Sequence, residues 1–167
     1  LVCPSEYMFM KLIAENRLQP LSDDFFDEEN ENNYYVRGVS DYIRNIFDTN
    51  TINGEPWSRY AAGYMWGTTG IVYNPEVISK EEASHWAILA DPKYKGQVTI
   101  KDNVRDSYFA ALGILNEEEL MAPDLISSPD RLERITEIMN RTDEDTVKAA
   151  ESVLKEMKEN AYSFESD

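Results

Sequence analysis

Histidine and cysteine are nearly missing from this chain: 167 residues contain 1 His, His85, and 1 Cys, Cys3. A single cysteine allows no internal disulfide, and by itself it neither requires nor excludes an exported protein. The pair provides no Cys/His set at metal-ligand spacing. It also nearly excludes a Ser-His-Asp or Cys-His nucleophile. His85 stands beside Trp86 and reads as a surface or helix-packing residue. Bases are scarce as well: 16 Lys and Arg against 32 Asp and Glu leave a formal net charge of −16. Nucleic acid needs a basic surface and is therefore disfavoured. A cation is attracted by such a field, but salt screens surface charge beyond about 8 Å, so only carboxylates inside a cleft can confer selectivity. No apolar run reaches the roughly 18 residues of a membrane span. Leu1-Val2-Cys3 has no basic segment or apolar run before it, so Cys3 reads as a strand residue and not as a lipid-modified terminus. Gly67-Thr68-Thr69-Gly70 is too short for a phosphate-cradling loop and lacks its lysine. With 32 carboxylates some close pairs are inevitable, so counting cannot argue for a glycosidase-like acid pair. No catalytic residue, metal site or cofactor emerges.

What is present suits a globular α/β protein, with 42% hydrophobic residues and strands alternating with helices. Leu1-Val2-Cys3 reads as a short buried strand ended by Pro4. Ser5 stands at a helix N-cap, with Met8, Leu12 and Ile13 as an apolar stripe. Residues 22–33 are acidic and Asn-rich loop. A short helix is expected over Val39 to Phe47, and Asn53-Gly54 marks a hairpin turn. Tyr60 to Tyr73, rich in aromatic and β-branched residues and closed by Asn74-Pro75, is the strongest strand candidate. A second strand follows Gly96. Asp102 or Asn103 caps the next helix, whose core face includes Tyr108, Leu112 and Leu115. Ser128-Pro129-Asp130 starts another helix, and a last one runs from about Asp143 to Asn160.

Four segments stand in a telling order: Pro4-Ser5-Glu6-Tyr7; Tyr64-Met65-Trp66-Gly67-Thr68-Thr69-Gly70-Ile71-Val72-Tyr73-Asn74; Trp86 with Asp91-Pro92-Lys93-Tyr94-Lys95-Gly96; and Asp102-Asn103-Val104-Arg105-Asp106. The chain in this respect resembles the polyamine-binding (spermidine/putrescine type) solute-binding proteins of ABC importers. The likeness runs from Leu1 to Asp167 and lapses between about Asp24 and Ala62, where extra residues stand. It implies a periplasmic-binding-protein-like (type II) α/β fold with three-layer lobes, incomplete here because relatives of this kind are longer. Residues 1–73 would be part of the first lobe, with an insertion at about 24–62 and a crossover strand at about 64–73. Residues 74–167 would belong to the second lobe. The implied role is non-catalytic capture of a polyamine outside the cytoplasm for ABC permease subunits, with signal sequence and lipid anchor lying outside this internal fragment.

A polyamine presents ammonium groups, three donors each, on a methylene chain. Its partners should be carboxylates, hydroxyls, carbonyls and ring faces. Ser5 and Tyr7 follow a strand's C-terminal end, where α/β sheets place ligands, and match the Ser and aromatic residue that the family sets at its cleft edge. Ser5 could equally be only a helix cap, and Tyr7 only packing. Asp102, Asn103 and Asp106 match the family loop that holds the ligand's ammonium groups. Here Asn103 replaces an Asp found in some relatives, and Asp106 stands where Glu is common. Asp102 has a helix-cap alternative, and Asp106 also suits the helix dipole. Tyr64 and Trp66, two apart on the crossover strand, share a face that lines either the cleft or the core. Other readings are a different small ligand, such as another cation, an iron complex or a phosphonate, and a purely structural or interaction module. Open strand edges in a fragment also suggest a homodimer.

Overall fold

The computed structural model describes residues 1–166; Asp167 lies outside them. The chain forms two compact units, one spanning Leu1–Thr68 and one beginning at Thr69.

The first unit begins with α1 (Glu6–Ala14), which buries Phe9 and Ile13, one turn apart. The stripe is thus rotated from the sequence expectation, and Met8 is exposed. Helices α2 (Tyr34–Gly38) and α3 (Asp41–Thr49) follow, the latter capped by Ser40, whose Oγ accepts from the Ile43 amide at 3.3 Å. Strands β1 (Thr51–Ile52) and β2 (Glu55–Pro56) make an antiparallel hairpin. Its turn residues Asn53 (φ 54°) and Gly54 (φ 83°) are both left-handed, the backbone that Asn-Gly tolerates best. Rings from three elements build the core: Phe9 to Trp57 at 5.2 Å edge-on, Phe9 to Phe47 at 5.8 Å, and Phe47 to Trp57 at 5.9 Å. The acidic stretch is tied down by Asn33, whose amide donates to the carbonyls of Asp24 (2.7 Å) and Asp27 (2.8 Å). Phe47 and Trp57, from the stretch that departs from the resemblance, therefore share one small core with Phe9 of α1.

In the second unit β3 (Val98–Lys101) pairs in parallel with β4 (Ala161–Glu165). Parallel strands need a long crossover. Here it consists of α4 (Val104–Leu115), α5 (Glu117–Leu120), α6 (Pro123–Ser127), α7 (Arg131–Met139) and α8 (Glu144–Asn160). Ala110 and Ala111 on α4 and Ala150 on α8 share a buried cluster with Ile100, Val153 and Met157; small side chains there let the elements approach closely. Asn160 is buried and satisfied: its Nδ2 donates to the Leu89 carbonyl at 3.0 Å, and its own carbonyl accepts from the Gly96 amide at 2.8 Å. Leu115, placed on a helix core face by periodicity, is exposed, as are Leu132 on α7 and Val147 on α8.

Two strand expectations are corrected. Leu1-Val2-Cys3 is exposed and forms no strand, and 61–74 has no regular structure. A strand needs a neighbour to take its backbone hydrogen bonds, and none pairs with either segment among the described residues. Residues 71–73 keep strand-like alternation, with Ile71 and Tyr73 half-buried and Val72 exposed. The content is mixed α/β, as expected, but each of the two sheets has only two strands among the described residues, fewer than a three-layer lobe implies. No helix among the described residues is long and apolar enough to cross a membrane.

The helix α4 supplies a first test. A Cβ on Gly113 would stand 2.8 Å from Cδ1 of Trp86, whose ring is itself packed edge-on against Phe109 at 6.2 Å. Gly113→Val should destabilise the protein by about 1–3 kcal/mol, the overpacking range, although glycine is a poor helix former. An unchanged urea midpoint would mean that Trp86 swings aside freely.

Candidate functional site

The Asp102–Asp106 segment joins the end of β3 to the start of α4. Its conformation follows from one residue: Asn103 is the N-cap, its Oδ1 accepting from the amides of Arg105 (2.9 Å) and Asp106 (3.2 Å). Both lone pairs of that oxygen are committed to the helix, so Asn103 has its amide hydrogens, not its oxygen, to offer a ligand. The cap is therefore Asn103 and not Asp102. Asp102 is exposed, and its backbone amide donates to the Glu165 carbonyl at 2.8 Å, extending the β3–β4 pairing. Asp106 sits in the first turn of α4, where the helix dipole favours a carboxylate. Its Oδ2 lies 3.2 Å from Nζ of Lys101. Ser107 Oγ donates to the Lys101 carbonyl at 3.0 Å and fixes the strand end against the helix.

A cavity of about 460 Å³ runs beside β3, within the usual span of small-ligand pockets. Ile71, Tyr73, Trp86, Val98 and Ile100 give it apolar walls, and Lys101, Asp106 and Ser107 form its polar end where the strand stops. Of the residues proposed from sequence, Asp102, Asn103 and Asp106 share this junction, and Asp106 alone of them lines the cavity. Sequence reasoning missed Lys101 and Ser107. No periodicity signals Lys101, which stands at a strand's last position across from an acid in the following helix's first turn.

The remaining candidates belong to the first unit. Ser5 takes the N-cap backbone conformation (φ −64°, ψ 157°), but its hydroxyl makes no cap hydrogen bond. Only its carbonyl serves the helix, accepting from the amide of Met8 at 3.0 Å. Tyr7 is half exposed on the first turn of α1. Tyr64 and Trp66 are both well exposed, and the Trp66 ring meets Tyr42 at 5.8 Å. Neither is packed into the core of the first unit.

The Asp91–Gly96 motif is structural. Asp91 caps the turn Pro92–Tyr94, accepting from the Lys93 amide at 2.8 Å. Lys93 Nζ pairs with the Glu82 carboxylate, and the Tyr94 hydroxyl donates to it at 2.8 Å. Ser79 and Glu82 close a capping box: the Ser79 amide donates to Oε2 of Glu82 at 3.1 Å, and the Glu82 amide donates to Oγ of Ser79 at 3.2 Å. The Lys93 ammonium first, then the Tyr94 hydroxyl and Ser79, hold the Glu82 carboxyl down from 4.5 to about 2. Its folded value is depressed, so its contribution is complete above about 4.5 and fades as pH falls toward about 2. Glu119, beside the Arg141 guanidinium, and Asp143, beside Thr146, are lowered in the same sense. Thermal melts should therefore fall in midpoint between pH 4.5 and 2, with Glu82→Gln flattening part of that slope. An identical slope in the variant would mean that this cluster adds nothing to stability.

Among the described residues, no group of three or more His, Cys, Asp and Glu could hold a metal ion. The family model described as bacterial extracellular solute-binding protein matches residues 5–167. The chain belongs to this family. It is 26% identical, over all 167 of its residues, to the spermidine/putrescine-binding periplasmic proteins of Escherichia coli (strain K12) and Shigella flexneri. The same identity holds for the protein of that name from Salmonella typhimurium. The chain spans 38% of the length of these curated relatives. No solved structure matches it significantly.

Proposed function

We propose that this chain is part of an extracytoplasmic binding component that captures a polyamine for an ABC importer, without catalysing a reaction. The observation that carries the reading is the Asp106 carboxylate at the polar end of an apolar-walled cavity, already engaged with a primary ammonium, that of Lys101. A carboxylate that accepts one alkylammonium has the chemistry to accept another, and flat apolar walls suit methylenes. Relatives named for spermidine and putrescine support the same ligand class. Asp102 and Asp106 would meet ammonium groups. Asn103 would set the loop. On the first unit taken by itself, Ser5, with its hydroxyl unspent on the helix, and the exposed rings of Tyr7, Tyr64 and Trp66 have the chemistry for oxygen and ring-face contacts with a polyamine. The acidic balance argues against anionic ligands such as phosphonates.

The test is calorimetric titration of the protein, at its natural length, with spermidine, putrescine, amino acids, phosphonates and metal ions. Heat with the polyamines alone supports the reading. Saturable binding of an amino acid, a phosphonate or a metal, with none of a polyamine, would sink it.

A further inference from the structure

Resting on the polyamine reading, we propose that Lys101 is a specificity-determining residue: its ammonium competes with the ligand for Asp106 and tunes the site toward cations of fewer charges. Three observations lead there. First, Lys101 and Asp106 line the same cavity, with Nζ and Oδ2 3.2 Å apart, so the charge facing the polar end is largely cancelled from within the chain. Second, the loop between β3 and α4 adds only one further carboxylate, Asp102, to that of Asp106, so a third ammonium has no acidic partner there. Asn103 carries no charge, and its oxygen is spent on two backbone amides, at 2.9 and 3.2 Å. Third, the segment 101–106 itself carries two bases, Lys101 and Arg105, beside its two acids, Asp102 and Asp106. A ligand ammonium that reaches Asp106 must displace Nζ or share the carboxylate with it. The pair is half open to solvent, with side chains 45% and 29% exposed, so displacement is feasible. Each additional ammonium on a ligand needs its own acceptor. A triamine therefore suffers more from this competition than a diamine does.

The experiment is titration of parent, Lys101→Met, Lys101→Gln and Lys101→Arg proteins, at natural length, with putrescine and spermidine. Lys101→Met and Lys101→Gln remove the competitor and should tighten spermidine about three- to tenfold, the scale of an exposed ion pair and somewhat more, with a smaller gain for putrescine. Lys101→Arg keeps the charge and should bind like the parent. If both neutral variants bind spermidine no more tightly than the parent, while Asp106→Asn still weakens it, the competition is disproved and the polyamine reading stands. If neither the parent nor any Lys101 variant binds either amine, both fall together. An equal gain for both ligands would overturn the charge-number preference.

Discussion

Asp106→Asn is expected to weaken spermidine and putrescine binding by about 1.5–3 kcal/mol, the range for a hydrogen bond to a charged group. That corresponds to roughly ten- to 150-fold in affinity. The substitution conserves shape and still offers an oxygen. What disappears is the charge, in a first helical turn that favours it. The loss is compounded locally, because Lys101 Nζ, 3.2 Å from the carboxylate in the parent, would then face the ligand without the Asp106 charge beside it. Tyr7→Ala should weaken binding in the same direction, through lost ring-face and methylene contact. Titration calorimetry at two salt concentrations would check this, since an effect of charge should shrink as salt rises. If both variants bind like the parent, the ligand is held elsewhere.

The parts of the fold legible in the sequence are those in which a single residue decides local geometry. Asn53-Gly54 supplies two left-handed positions, and the hairpin forms there. Asp143 caps α8, accepting from the Thr146 amide at 3.0 Å, and apolar residues at helical spacing behind it reach the core at Ala150, Val153 and Met157. Illegible were features that depend on a partner elsewhere. Residues 60–73 have the composition of a strand, but composition reports only that a segment fits a sheet, not that a neighbour is there to pair with it. The same limit governed the site. A short polar cap before α4 could be read, since short polar side chains cap helices, but not which of Asp102 and Asn103 forms it. The Lys101–Asp106 pair could not: it joins a strand's last residue to a helix's first turn, so neither helical nor strand periodicity brings the two side chains together.

The largest expected effect on stability is at Leu112. Its side chain is wholly buried in α4, a helix that also gives Ala110 and Ala111 to the core of the second unit. Leu112→Ala removes three carbons from a close-packed interior and leaves a cavity that the surroundings fill only in part. The cost should be about 2–5 kcal/mol, against a total stability of about 5–15 kcal/mol for a typical domain. Leu115 is the informative control. It lies three residues on, was placed on the same face from sequence, and is 39% exposed. Leu115→Ala should cost clearly less, about 1–2 kcal/mol, because 39% of its surface stays in water. The two variants share chemistry, helix and helix propensity, so their difference isolates burial. Urea midpoints with matched slopes would measure it. If Leu115→Ala proves as damaging as Leu112→Ala, α4 is rotated from the orientation described here. The cavity wall that it shares with Asp106, Ser107 and Ala110 would then be rotated with it, and the candidate site would have to be rebuilt.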